Sequence, residues 1–321
     1  MKILITGGLG YIGSHIAHLL KDKAVIIDNQ VNSKLDYKKL LPLSHVYISD
    51  LNSSICDKIF NKYEIQGVIH LASLKAVEDS VSQPLKYYKN NFLASIELLN
   101  SMEKHSINKL IFSSSATVYG NIYSSPLRED LLPRPNNPYG NTKVLIEKLI
   151  EDYSMSNKKF KAISLRYFNP IGANISAGLA DRPLGKPKNI IPMLIDCILD
   201  NKKFNIFGNN YKTKDGTCLR DYIHVIDVAM AHIKALKSLN KINGHVPINI
   251  GIGKGLSVIE LINIFEKVNK VNIIFNFVSK RKGDAAISYS NNNLAKKILN
   301  WKPKYTYKDM VRDAWLSAIN Q

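Results

Sequence analysis

Cysteine is scarce in this chain. Cys56, Cys197 and Cys218 are the only three in 321 residues, widely spaced and with no C-x-x-C pair. That spacing excludes a disulfide framework or a zinc site and predicts free thiols. No apolar run is long enough to cross a bilayer. The opening "MKILITGGLG" has only a short apolar stretch before its glycines, which does not suit a secretory signal. The expectation is a cytoplasmic protein with no metal and no membrane partner. Acidic residues are also few: 26 Asp and Glu stand against 44 Lys and Arg, a net charge of +18. Such a field attracts nucleic acid, anionic lipid or phosphorylated small molecules. The lysines are scattered, however, and the longest basic cluster, "SKRKGD" at 279–284, is short. With no zinc finger, RNP-like motif or aromatic-basic stripe, no nucleic-acid partner is predicted.

What the chain does have is alternation. "KILIT" (2–6), "AVIID" (24–28), "HVYIS" (45–49), "GVIHLA" (67–72), "KLIFSS" (109–114) and "FKAISLRYF" (160–168) read as strands. Helical patterns fall near 11–20, 54–62 and 84–104, and a further helix opens at Asn137. Strands alternating with helices predict an α/β fold with a doubly wound parallel sheet. The second half is less regular. Its expected elements are helices near 190–201, 225–239, 257–269 and 307–319, and strands at 204–208, 245–251 and 272–278. The expected domains are 1–168 plus about 217–249, and a smaller mixed α/β substrate-binding domain of about 169–216 plus 250–321.

"TGGLGYIGSH" follows the first strand and opens a helix. Gly8, Gly10 and Gly13 satisfy G-x-G-x-x-G, and Gly7, Gly10 and Gly13 satisfy G-x-x-G-x-x-G. Such glycines permit a tight turn, close approach of backbone to a pyrophosphate, and close packing of helix on strand. The helix N-terminus adds N–H donors and the positive end of a dipole. Asp28 closes the second strand 20 residues after Gly8, where an acid meets the adenosine ribose hydroxyls of a dinucleotide. A carboxylate there repels a 2′-phosphate, and Asn29 offers no cation to attract one. The first domain is therefore read as a Rossmann domain that takes NAD.

The strand at 109–114 runs into Ser113, Ser114 and Ser115. Ligands of doubly wound sheets meet the carboxyl ends of strands. In "NPYGNTK" (137–143), Asn137 caps a helix, Pro138 suits its first position, and Tyr139 and Lys143 share a face. On its own, such a pair is an ordinary tyrosine stacked on a lysine stem.

Seven motifs occur in order: "TGGLGYIGSH", "DNQVNSK", "HLASLKAVEDS", "FSSSATVYG", "NPYGNTK", "LRYFNPIGA" and "DGTCLRDYIHVID". Together they resemble the UDP-galactose (UDP-glucose) 4-epimerases of the extended short-chain dehydrogenase/reductase superfamily. The resemblance runs from residue 1 to "RKGD" near 281–284. It implies that Tyr139 is the catalytic base, that Lys143 tunes it and bonds the nicotinamide ribose, and that Ser115 bridges Tyr139 and the sugar 4-hydroxyl. It implies reversible oxidation at C4 to a 4-keto sugar, which turns over in place before NADH returns hydride to either face. A free phenol is a poor base near neutrality, and nearby positive charge lowers its pKa.

The resemblance also implies a binding pattern. Tyr11 and Ile12 follow the pyrophosphate loop. Asp28, Asn29, Asn32 and Ser33 surround the adenosine ribose, and Asp50 and Leu51 line the adenine. Leu71, Ala72, Ser73, Lys75, Asn90 and Phe168 complete the cofactor site, with Ser73 where the family commonly has glycine. Lys75, Asn169, Asn189, Arg220, Arg281, Asp284 and Ser288 match the UDP-sugar side. Guanidinium groups at Arg220 and Arg281 suit a diphosphate, and Asp284 can accept from the uridine ribose. Epimerases restricted to glucose and galactose resemble one another in a Tyr where this chain has Ser288. A smaller residue leaves room for an acetamido group, so UDP-GlcNAc and UDP-GalNAc are expected substrates too. A homodimer through helices near 84–104 and 138–154 is implied. His70 and His224 receive no catalytic role. Two alternatives remain at this point. One is a nucleotide-sugar 4,6-dehydratase or decarboxylase, although dehydratases follow the strand-end Thr/Ser with Asp-Glu and this chain has Ala116-Thr117. The other is a non-catalytic NAD-binding regulator.

Overall fold

In a computed structural model that describes residues 1–32, 34–281 and 283–320, seven parallel strands form the central sheet. They are β1 (Lys2–Thr6), β2 (Ala24–Asp28), β3 (His45–Ile48), β4 (Ile65–His70), β5 (Lys109–Ser115), β6 (Lys161–Tyr167) and β7 (Gly244–Ile250). Their spatial order is β7-β6-β5-β4-β1-β2-β3. Successive residues of a strand point to opposite faces, and both faces here are covered. Ile5, Ile26, Ile69, Ile111 and Ile163 pack on one side with Ile16 and Ala17 of helix Tyr11–Leu20 and Val228 and Ala231 of helix Val225–Ser238. Their neighbours Leu4, Val25, Val68, Leu110 and Ala162 face the other side. There they meet Ile59, Leu98, Ile146 and Ile150 from helices Ser53–Lys62, Ala94–Lys104 and Pro138–Ser156. This two-sided burial explains why the strands read as continuous apolar runs.

The chain winds outward from β1 to β3, then returns to β4 on the other side of β1. The order reverses between β1 and β4, and the crevice outside their carboxyl ends is where such sheets bind ligands. The smaller half is built from short pairings. Asn169–Ile171 runs parallel to Tyr222–His224, and Phe204–Phe207 to Phe275–Val278. Leu219–Arg220 sits between Leu256–Ser257 and Ile287–Ser288. Its own core joins Leu194, Phe204, Tyr222, Leu261, Phe265 and Met310. The segment after 290 doubles back: Ala295, Leu299 and Trp301 pack into the first core, and the Trp301 indole donates to Asp227 O at 3.1 Å.

Two stretches beside the crevice differ from the sequence reading. The fourth strand ends at His70, so residues 71–75 form a loop at the crevice, followed by a short helix Val77–Ser82 that periodicity missed. The helix expected over 84–104 is interrupted. Pro84–Tyr87 passes into a π-helical turn, Tyr88–Leu93, before Ala94–Lys104 resumes α geometry. The cause is Asn91, fully buried in that turn. Its Oδ1 accepts from Leu74 N at 2.8 Å, and its Nδ2 donates to Leu74 O and to Thr142 Oγ1 at 3.1 and 3.2 Å. A wide turn of this kind is frequent where a helix serves a site. No helix among the described residues is long and apolar enough to cross a membrane.

Candidate active site

A cleft of ≈ 890 Å³ opens at the carboxyl ends of β1, β2, β4, β5 and β6. The glycine loop forms its floor. Gly7 has φ +71°, and a Cβ there would meet Ala72 N at 2.7 Å, so only glycine fits. A Cβ on Gly13 would collide with the Gly7 carbonyl oxygen, which is the close helix–strand packing that the spacing predicts. Gly10 differs. The nearest protein atom to its Cβ position is Gly7 O at 3.4 Å, an ordinary contact, so a side chain there would fill the cleft instead. Gly10 also caps helix Tyr11–Leu20 without a side chain to bond its first-turn N–H groups. This cradle fits a pyrophosphate.

Asp28 sits beside the loop. Its Oδ2 accepts from Leu9 N at 2.9 Å and its Oδ1 from Gln30 N at 2.7 Å. Burial raises its carboxyl above the usual value, and these N–H groups oppose the rise. The Gly10 N–H also bonds this carboxyl, which still keeps acceptor capacity for a ribose hydroxyl. Asn29 Nδ2 donates to Asp50 Oδ1 at 2.7 Å, tying the ends of β2 and β3 together.

At the far end of the cleft the capped helix brings in its catalytic candidates. Asn137 Oδ1 accepts from Gly140 N at 2.8 Å, the expected cap. A Cβ on Gly140 would meet Pro135 Cβ at 2.8 Å and Thr117 O at 3.0 Å, so glycine keeps the first turn slim against the 116–119 segment. Tyr139 and Lys143 are both buried. The Tyr139 hydroxyl bonds Ser115, and Lys143 Nζ donates to Ser113 O at 2.9 Å. Lys143 Nζ also lies 5.6 Å from the Tyr139 ring centre and 4.8 Å from that of Phe112. Burial dominates the electrostatics. It pushes Tyr139 up to about 12, against the bond from Ser115, and pushes Lys143 down to about 7, against the pull of Glu147. Tyr139 is therefore raised where the sequence reading expects a lowering, with desolvation outweighing the Ser115 bond.

Gly7, Gly10, Tyr11, Ile12, Gly13, Asp28, Asn29, Asn32, Asp50, Leu51, Leu71, Ala72, Ser73, Lys75 and Asn90 all line this one cleft. So do Ser115, Tyr139, Lys143, Phe168, Asn169 and Asn189. Ser33 lies outside the described residues. The four remaining candidates do not line the cleft. Arg220 Nη2 pairs with Asp284 Oδ1 at 2.7 Å. Arg281 stacks over Phe207 at 4.0 Å and approaches Glu78 at 3.6 Å. Ser288 lies opposite Arg220 in the short parallel pairing. His70 is a core residue held by Thr6 Oγ1 at 2.7 Å and Ser95 Oγ at 2.9 Å, and burial pushes it down to about 3. His224 stacks on Tyr305 at 4.1 Å and caps helix Val225–Ser238.

Residues 3–251 match the NAD dependent epimerase/dehydratase family. The chain belongs to that family. Among curated relatives, UDP-glucose 4-epimerase of Dictyostelium discoideum is 42% identical over 98% of this chain and 94% of its own length. A solved UDP-glucose 4-epimerase from Stenotrophomonas maltophila, with bound NAD and formylated UDP-arabinopyranose, is 37% identical with a TM-score of 0.95. It is covered over 99% of its length and covers all of this chain. The UDP-Glc/GlcNAc 4-epimerase of Campylobacter jejuni is 32% identical with a TM-score of 0.84, over all of this chain and 99% of its own.

Three buried polar residues of this epimerase/dehydratase chain escaped the sequence reading. Asn91 clamps the 71–75 loop to the Tyr139 helix. Glu147, on the same helix, receives a fork from Arg166 on β6: Arg166 Nε reaches Oε1 at 3.0 Å and Nη2 reaches Oε2 at 2.5 Å. The signal for that pair was present. An arginine inside the apolar run "AISLRYF" has to find a buried partner, and Glu147 stands one helical turn beyond Lys143.

Proposed function

We propose that this chain is a UDP-hexose 4-epimerase that interconverts UDP-glucose and UDP-galactose with NAD as its cofactor. The observation that carries this reading is the convergence of Ser115, Tyr139 and Lys143 with the glycine loop and Asp28 in one cleft. When bound, NAD supplies the acceptor and donor of the C4 hydride. The glycine loop with Tyr11 and Ile12 holds its pyrophosphate, and Asp28, Asn29 and Asn32 hold its adenosine ribose. Asp50 and Leu51 line the adenine, while Leu71, Ala72, Ser73, Lys75, Asn90 and Phe168 flank the rest. Tyr139 takes the proton from the sugar 4-hydroxyl oxygen and later returns it, and Ser115 aligns that hydroxyl. A phenol pushed up to about 12 needs positive charge beside it to serve as a base, and protonated Lys143, its Nζ 5.6 Å from the ring centre, is the residue placed to supply it. Asn169 and Asn189 meet the substrate from the opposite wall. Arg220, Arg281 and Asp284 take the diphosphate and uridine ribose.

Purified protein incubated with UDP-galactose, without added cofactor, tests the reading. UDP-glucose is the expected product. No conversion by protein that carries NAD overturns it, and a 4-keto-6-deoxy product points instead to a dehydratase. The latter chemistry needs an acid after Ser115, where Ala116 and Thr117 stand.

Ser288 extends the proposed range to UDP-GlcNAc and UDP-GalNAc, since its small side chain leaves volume for an acetamido group. The similarity to an enzyme named for both sugars supports this extension. A homodimer is proposed through the helices near 84–104 and 138–154. Leu85 of the first segment and Leu145 of the second are exposed, at 84% and 40%, and so are available to such a contact. Light scattering at twice the chain mass is the expected result. A cytoplasmic location is proposed from the three free cysteines.

A further inference from the structure

The ground behind the catalytic pair holds an ion pair that the proton-transfer steps do not use. Glu147 is buried one turn past Lys143 on helix Pro138–Ser156. Its Oε1 accepts from Ser114 Oγ at 2.5 Å and from Arg166 Nε at 3.0 Å. Its Oε2 accepts from Arg166 Nη2 at 2.5 Å and from Nε at 3.2 Å. Ser114 and Arg166 are direct partners in the β5–β6 register. Arg166 is held in turn by the Tyr119 hydroxyl at 3.0 Å and Glu129 O at 3.4 Å, and Tyr119 donates to Asn249 Oδ1 at 2.7 Å. One carboxylate therefore fastens the Tyr139–Lys143 helix to the middle residue of the three-serine strand end. The serine before it supplies the carbonyl that takes the Lys143 ammonium, and the serine after it bonds Tyr139.

We propose that Glu147, locked by Arg166 and Ser114, is a positioning residue for the epimerisation. It fixes the helix so that Lys143 and Tyr139 meet the strand end in register, and it places a buried carboxylate one helical turn from Lys143. A buried ion pair is weak evidence for stability, and its better-attested use is to specify one arrangement. Here the arrangement specified is that of the proton-transfer groups. The use of a nearby carboxylate is visible at Lys143, which donates to the neutral Ser113 carbonyl while burial works against its charge. Among the described residues, the other groups that face Lys143 are not carboxylates. Tyr139 lies on its own helix, His70 and Phe112 come from β4 and β5, and Tyr167 of β6 lies beside Tyr139. Around Glu147 stand Arg166 of β6, Ser114 of β5 and His245 of β7, the last held below its usual value by burial.

The inference rests on the epimerase reading and is tested by the pH dependence of turnover. With an ammonium required at Lys143, loss of its carboxylate lets the proton leave at lower pH, so activity falls away earlier on the alkaline side. Glu147→Gln is expected to lower kcat about tenfold at pH 6 and further at pH 8, with KM nearly unchanged. Removing one member of a buried pair can unfold a protein, so Glu147→Gln/Arg166→Met is made beside it. That double variant loses both charges together, and the same downward move of the alkaline limb is expected. Melting temperature and bound NAD content are measured on each. A folded variant of either kind whose kcat–pH curve overlays that of the wild type overturns the proposal, as does a loss of kcat by one factor at every pH. Absence of epimerisation in the wild-type protein would instead remove the functional reading.

Discussion

The proposed catalytic wall of the cleft and the Arg220–Arg281–Asp284–Ser288 band are built from different material. Ser115 ends a seven-residue strand in the interior of a parallel sheet, and Tyr139 and Lys143 sit on the first turns of a 19-residue helix packed against it. The band hangs on strands of two residues, Leu219–Arg220 and Ile287–Ser288, with Arg281 and Asp284 ahead of the second. The catalytic wall is assembled by the chain alone, with Ser115 bonded to Tyr139 and Lys143 to Ser113 O. The band is instead satisfied by itself: Arg220 holds Asp284, and Arg281 rests on Phe207 near Glu78. Long buried elements fix a geometry that tolerates little error, as proton transfer demands. Short elements whose charges pair internally can exchange those partners for a ligand's.

Four changes test that contrast. The largest effect belongs to the assembled wall. Tyr139→Phe is expected to lower kcat about 10³-fold while bound NAD stays at the wild-type level. Turnover within threefold of wild type breaks the assignment. Arg220→Met is expected to raise KM for UDP-galactose about thirtyfold with kcat largely kept, because a charged hydrogen bond is lost from binding alone. A fall in kcat instead would move Arg220 to the catalytic side. Ser288→Tyr should cut kcat/KM for UDP-GalNAc about tenfold by crowding, and leave UDP-galactose within about twofold. Equal losses on both substrates would detach Ser288 from the C2 substituent.

The smallest effect is thermodynamic. Lys143 holds its proton only up to about 7 in the folded chain, against an ordinary lysine value of 10.5. Between those values the unfolded chain binds the extra proton, so this residue makes stability rise with pH across that window. Lys143→Met removes the penalty. The variant should melt about 3 °C above wild type at pH 7, both without cofactor, and the gap should close toward pH 10. A gap that widens with pH contradicts the direction given for Lys143.

Much of what gathers in the cleft was legible because its signals are local. The glycine spacing, the acid at the end of β2, the Asn137 cap and the pair four residues apart each arise from short-range geometry, and all reach the same cleft. The apolar runs located the sheet because a parallel sheet covered on both faces leaves little else along a strand. What stayed hidden depends on distant partners. The π turn at Tyr88–Leu93 answers to Leu74 and Thr142, which no short window around Asn91 contains. The energetic sign at Tyr139 was hidden for the same reason. A sequence shows that a lysine is near, but not that both groups are buried deeply enough for desolvation to win.

The π turn also sets how the site tolerates change in chain length. Compared with an α-helix, a π turn takes up one more residue between hydrogen-bonded partners. Removing one residue between Tyr88 and Leu93 would let the helix close into regular α form, gaining orthodox backbone bonds. The same deletion would rotate the residues before it by about 100° relative to those after it. Asn91 would swing away from Leu74 and Thr142, freeing the loop under Lys75 and the helix under Tyr139 in one step. A more regular helix would thus give a looser site, and the length of this segment is held by its side-chain partners rather than by its own backbone.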